Sequence, residues 1–272
     1  MPHYICKTCG VQFAESDHPP PSCPICEDER QYVGWDGQQW TTLAELRAGH
    51  TNVVRAEAAD LTGITTEPAF AIGQRALLLR DPAFPLLWDC LTLIDDASVT
   101  AVRAAGGIRA VAISHPHYYS AMVEWAHAFD VPVYLHAADR AWVMRPDPCI
   151  AFWEGETLDL GEGITLIRCG GHFAGGTVLH WAAAAAGRGA LLSGDVLQVG
   201  QDRKSVSFMY SYPNYIPLDA AAVRRIATAT APYRFDRIYG AFGDRNVAVG
   251  GNEVVRQSVA RYLRAIGEKR DA

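Results

Sequence analysis

Two C-x2-C pairs, Cys6/Cys9 and Cys23/Cys26, dominate residues 1–36, with the proline-rich stretch PPPS between them. A segment this short has too few apolar side chains to build a core of its own. Each C-x2-C forms a tight knuckle that aims two thiolates at one point. Two knuckles complete a tetrahedral S4 site, and the bound metal supplies the missing folding free energy. Two disulfides are the competing use of four cysteines, but the spacing favours metal in a reducing compartment. The chain reaches Cys6 with no room for a signal peptide ahead of it, so a cytoplasmic location is expected.

Residues 37–272 are long enough for a full core, and the chain is 49% hydrophobic and 20% charged, as an ordinary globular protein is. TTLAELRAG (41–49) reads as a short helix, followed by strand-like segments near 52–58, 60–71, 75–80 and 85–91. The pattern then alternates. DASVTAVRAAGG is a helix, IRAVAIS a buried strand, YYSAMVEWAHAFD a helix with Ala121, Met122, Trp125 and Phe129 on one stripe, and VPVYLHA a strand. A second run of strands covers WEGETLDL, GITLIRCGG, TVLHWAAAA, GALLSGDVL and FDRIYG, with AAAAAG (182–187) as a turn. LDAAAVRRIATAT and NEVVRQSVARYLRAI add helices. Strands interleaved with covering helices predict an α/β fold of layered sheets. The net charge of −6, without a long Lys/Arg cluster, argues against nucleic acid. No apolar run approaches the ~20 residues of a membrane span.

The chemistry gathers where apolar runs end. SHPHYYS follows IRAVAI, and in an extended strand His115 and His117, at i and i+2, present their rings on one side. CGGHFAGG sets His172 in a glycine-rich turn where backbone can approach a ligand closely. LLSGDVL sets Asp195 at the end of another buried run, where a carboxylate needs a partner or a metal. His127, His136 and His180 lie within helix or strand runs and read as non-ligands. Cys90, Cys149 and Cys169 occur singly and read as small buried residues.

The succession of H-x-H, a glycine-flanked G-H and S-G-D resembles the metallo-β-lactamase superfamily, glyoxalase II among its hydrolases, over about residues 50–265. The cysteine-rich segment resembles the rubredoxin-like domain of rubrerythrins, through its CG and CPxC contexts over residues 4–33. The resemblance implies an αββα sandwich preceded by a rubredoxin-like four-cysteine metal ribbon, with domains 1–36 and 37–272. It implies that His115, His117, His172 and Asp195 match one metal site of the dinuclear members. The private ligand positions of the other site fall on Tyr119, Ser120 and Phe242, so one ion is expected in the large domain. Asp89 falls where an aspartate often supports the ligands. The implied activity is mononuclear, metal-dependent hydrolysis of an ester, thioester or lactone-like bond in a small-molecule substrate.

In that reading Asp195 is either a ligand or a holder of water, Tyr119 a hydrogen-bond donor to developing charge, and Ser120 an orienter of water. The ribbon holds zinc, or iron if it carries electrons. The large domain holds zinc or iron. Two alternatives stand beside hydrolysis: a mononuclear non-haem iron oxidoreductase, and a catalytically degenerate binding protein stapled by metal. Phe208, Tyr210, Tyr212 and Tyr215, in the segment 205–218, either line a substrate pocket or pack the domain edge. Homodimerisation is compatible with such a loop.

Overall fold

A computed structural model describes residues 1–268, in two compact units that divide between Trp153 and Glu154. The first unit begins with a three-stranded antiparallel ribbon. Its central strand His3–Cys6 is flanked by Gln12–Glu15 and by Trp40–Thr41, the last lying past residue 36. Phe13 and Trp40 meet edge to face at 4.9 Å, and Ile5, Val11 and Ile25 are buried beside the cysteines.

The rest of the first unit is a seven-stranded mixed sheet in the order Ile150–Trp153, Val133–His136, Ala110–Ala112, Leu86–Trp88, Ala76–Leu79, Leu61–Glu67, Thr51–Ala58. The first four are parallel neighbours and the rest pair antiparallel. Helices Asp96–Ala104 and Met122–Phe129 are the crossovers that parallel pairing requires. The first of them opens on a capping box between Asp95 and Ser98, and the second stops at Asp130, in the left-handed region at φ 54°.

The second unit is a six-stranded sheet in the order Thr157–Gly161, Ile164–Arg168, Thr177–Trp181, Ala190–Gly194, Arg237–Gly240, Asn246–Val247. Only Ala190–Gly194 and Arg237–Gly240 run parallel, joined through the helix Ala220–Thr230. Its core gathers Val196, Leu197, Phe208, Val223, Ile226, Phe235 and Ile238. The helix Gly251–Ala265 follows the last strand. Ala76–Leu79 in the first unit and Thr177–Trp181 in the second are buried at every position, and ALLL accordingly reads as a continuous apolar run.

Several element bounds differ from the sequence expectation, for local reasons. The strand expected over 60–71 stops at Glu67, because Pro68 brings no N–H to the ladder. The strand expected over 85–91 stops at Trp88, because Asp89 turns left-handed at φ 59°. The helix expected from Tyr118 starts at Met122. A 3-10 turn, Pro116–Tyr118, precedes it, and Ser120 at φ 45° breaks the two apart. The alanine run 182–187 is the expected turn, tightened by left-handed Ala185 and Ala186.

Candidate metal centres

In the ribbon, one sulfur from each of Cys6, Cys9, Cys23 and Cys26 lies within 4.8 Å of every other, and all four residues are buried. Cys6 Sγ and Cys26 Sγ are 3.5 Å apart, Cys9 Sγ and Cys23 Sγ 3.7 Å. Those are close to the edges, about 3.8 Å, of a tetrahedron with zinc–sulfur bonds of about 2.3 Å. They are far longer than the ~2.0 Å of a disulfide. Four thiols so crowded cannot ionise freely. Contacts with Cys23, Cys26 and Cys9 hold Cys6 well below the usual thiol range, while contacts with Cys23 first push Cys9 and Cys26 up. A divalent cation removes that conflict. Gln38 Nε2 donates to Cys6 Sγ at 3.1 Å, a bond that favours the thiolate. The donor set fits a metal, and the small four-cysteine ribbon expected from the sequence is present.

Within the first unit, His115 and His117 stand past the carboxyl end of Ala110–Ala112, beside the end of its parallel neighbour Leu86–Trp88. Ligands of open α/β sheets collect at such ends. The two rings are nearly perpendicular, 5.3 Å apart, and almost fully buried. Strand alternation is not what aims them, contrary to expectation. His115 is extended, and Pro116 then opens the 3-10 turn that carries His117. Proline's fixed φ suits that first position.

Asp89 accepts from both the backbone N–H and the hydroxyl of Ser114, at 2.8 and 2.7 Å, on the same oxygen. The Ser114 hydroxyl has one proton, and it goes to the carboxylate. Ser114 Oγ therefore meets His115 Nδ1, at 2.8 Å, as an acceptor. His115 then carries its proton on Nδ1, which leaves the Nε2 lone pair for a ligand. Asp89 thus reaches His115 through a serine that the sequence did not single out.

Tyr119 is buried, and burial, with the charge of Asp139 adding, pushes its phenol well above the usual value. It stays protonated and can donate. Tyr119 and Ser120 border a small cavity with Val11, Gln12, Met122, Val123, Met144 and Arg145. The Ser120 hydroxyl accepts from Gln74 Nε2 at 3.1 Å.

Within the second unit, His172 sits in a turn closed by N–H groups of Cys169 and Gly170 on the Gly176 carbonyl, at 2.8 and 2.9 Å. A Cβ on Gly176 would lie 2.7 Å from the Gly170 oxygen, so only glycine allows the closure. His172 is buried, and its Nδ1 lies 2.7 Å from the Tyr210 carbonyl oxygen. A carbonyl can only accept, so this ring too carries its proton on Nδ1 and keeps Nε2 as a lone-pair donor. The aromatic segment thereby reaches the site through a backbone oxygen, which no side-chain pattern announces. Asp195 follows Gly194 and is 6% exposed. The Tyr212 hydroxyl donates to its backbone oxygen at 3.4 Å, and burial, then the Asp195 charge, raises that phenol. Phe242 lies in the turn before Asn246–Val247 and has no donor atom to offer a metal.

Of the other histidines, His136 Nδ1 accepts from the Ala138 N–H, and His180 Nε2 donates to the Arg234 carbonyl. His127 groups with Asp147 and Cys149, with one donor from each within 4.8 Å of the others. Asp147 already bonds His127 and the Cys149 N–H, and burial first pushes the Cys149 thiol up to about 12.

No family model matches the chain. An uncharacterized protein of Bacillus subtilis (strain 168), YmaE, is 50% identical over 271 residues, 99% of this chain and 98% of YmaE. The chain belongs to the YmaE family. Among solved structures, the metallo-β-lactamase DIM-1, exposed to ceftazidime, aligns over 79% of this chain and 97% of its own with a TM-score of 0.58 at 12% identity. FIM-1 of Pseudomonas aeruginosa, a metallo-β-lactamase in its mono-zinc form, covers 79% and 96% with a TM-score of 0.56 at 15% identity. At such identity the likeness concerns the fold. This member of the YmaE family therefore has the metallo-β-lactamase fold preceded by a small ribbon, as the sequence resemblance implied. Among the described residues no helix is long and apolar enough to cross a membrane.

Proposed function

We propose that the chain is a hydrolase of small-molecule esters, thioesters or lactone-like bonds, using one zinc ion in the large domain. His115, His117 and His172 are its ligands, with Asp195 beside them as a fourth ligand or as the group that holds water. The observation that carries this reading is shared by two histidines from different units. His115 and His172 each commit Nδ1–H to an oxygen, which prepares both Nε2 atoms as ligands. FIM-1, a protein of the same fold, has been solved in a mono-zinc form. A zinc ion there supplies a Lewis acid and lowers the pKa of water.

The chain's own groups supply the rest. Asp195, near the end of a buried strand, is positioned to accept a proton from water or to orient it. Tyr119, held protonated by burial, donates a hydrogen bond where negative charge develops. The positions that the sequence resemblance assigns to a second set of ligands hold Tyr119, Ser120 and Phe242, which argues for one ion rather than two. A panel of aryl esters, acyl thioesters and lactones, assayed with apo and zinc-loaded protein, tests the proposal. Zinc-dependent turnover of one class is the expected result; a folded, zinc-loaded protein inert toward all three contradicts it.

A further inference from the structure

The ribbon is bonded to the segment that carries the histidine pair. Gly10 follows Cys9, and its carbonyl accepts from Thr92 Oγ1 at 2.9 Å. At φ +81° a Cβ there would lie 2.4 Å from that oxygen, so the approach requires glycine. Two residues on, the Gln12 N–H donates to the Ser120 carbonyl at 3.0 Å. The Gln12 side chain is buried and held as well. Its Nε2 donates to Glu124 at 3.3 Å, and its oxygen accepts from Arg145, which pairs with Glu124 at 2.7 Å. Across the turn, Gln74 Nε2 spans the Cys90 carbonyl and the Ser120 hydroxyl, at 2.9 and 3.1 Å. Ser120 is left-handed at φ 45°, a state serine keeps only where its surroundings impose it. His117 stands three residues before Ser120, in the 3-10 turn Pro116–Tyr118 that leads into it, and Asp89 stands three residues before Thr92.

We propose that the metal-loaded first knuckle positions the histidine pair. Gly10 and Gln12 are positioning residues, and occupancy of the four-cysteine site sets how tightly His115 and His117 hold their own ion. This rests on reading those histidines as metal ligands. The physical chain is short. The ribbon's own core is small, little more than Ile5, Val11 and Ile25, so without metal the knuckle opens. Opening removes the Gly10 and Gln12 bonds, Ser120 relaxes, and His117 loses the fixed direction that a ligand needs.

The test uses the full-length chain and two readouts: zinc competition against a chromophoric chelator, and amide hydrogen exchange over residues 116–121. Gly10→Ala strikes the bond to Thr92 and leaves every proposed ligand in place. Cys23→Ser removes the ribbon metal from the other knuckle and touches none of these bonds. Both are expected to weaken the second zinc about tenfold or more and to speed exchange over 116–121 several-fold, with Gly10→Ala retaining its ribbon zinc. Thr92→Val, which deletes only a hydroxyl, replaces Gly10→Ala should that variant not fold, and is expected to speed exchange in the same segment. Wild-type exchange and affinity in folded variants overturn the proposal. Should the wild-type protein bind no second zinc, the metal reading of the histidines fails, while the exchange arm still decides whether the ribbon holds the turn.

Discussion

Ser114 Oγ lies 2.8 Å from His115 Nδ1 while giving its own proton to Asp89, so one serine passes the orienting power of a buried carboxylate to an imidazole. Asp89→Asn suits the left-handed backbone at that position, since asparagine tolerates positive φ. It removes the charge and not the shape. Zinc affinity of the histidine site is expected to fall about 10–100-fold, the usual effect of losing a group that orients a ligand. Ser114→Ala is expected to act in the same direction. Competition titration against a chelator reads both, and unchanged affinity contradicts the relay.

Asp195→Asn keeps the size of a side chain that stands near the end of a buried strand. If the carboxylate works on water, turnover falls at least about 10²-fold, as for loss of a general base. Zinc content is expected to stay near wild type when Asp195 is not a direct ligand and to drop when it is. Metal analysis beside turnover separates these two roles, and full activity contradicts both.

Tyr119 is buried, with a phenol raised well above its usual value. Tyr119→Phe is expected to lower turnover about 10²-fold, the scale of one lost hydrogen-bond donor to developing charge. Metal content is expected to stay the same. No ionisation of this phenol should appear in the pH profile below its ordinary value. Unchanged turnover makes it a packing residue beside Val11 and Gln12.

His180 is buried on the strand Thr177–Trp181. Burial lowers its pKa, against the opposing effect of its bond to the Arg234 carbonyl. A histidine with a depressed folded value binds its proton more readily when unfolded. Its contribution to stability is therefore present above about 6.5 and lost as pH falls through the folded value. Melting curves from neutral pH down to about 5 should show a shallower loss for His180→Gln than for wild type. Protonation of metal-binding histidines acts on both proteins, so the difference isolates His180. Parallel curves contradict the assignment.

The sequence showed most of the donor atoms and little of what holds them. The C-x2-C pairs were legible because so short a segment, with so few apolar residues, needs metal, and the strand ends because buried strands read as apolar runs. The H-x-H pair was legible as a pattern, but its geometry comes from Pro116 and a 3-10 turn, where a strand had been expected. Ser114, the Tyr210 carbonyl, and the bonds of Gly10 and Gln12 to Thr92 and Ser120 left no trace in spacing or composition. Each is a contact between residues far apart in the chain, or made by backbone atoms that every residue carries. Such contacts become visible only once the strands are in register.

The most direct measurement of the central claim is an anomalous-diffraction map of crystals grown with zinc, read together with metal content per chain. Two ions are predicted: one inside Cys6, Cys9, Cys23 and Cys26, and one on the Nε2 atoms of His115, His117 and His172, with Asp195 beside it. A pair of adjacent ions at the histidines, or a histidine site that stays empty while the ribbon is filled, would contradict the account.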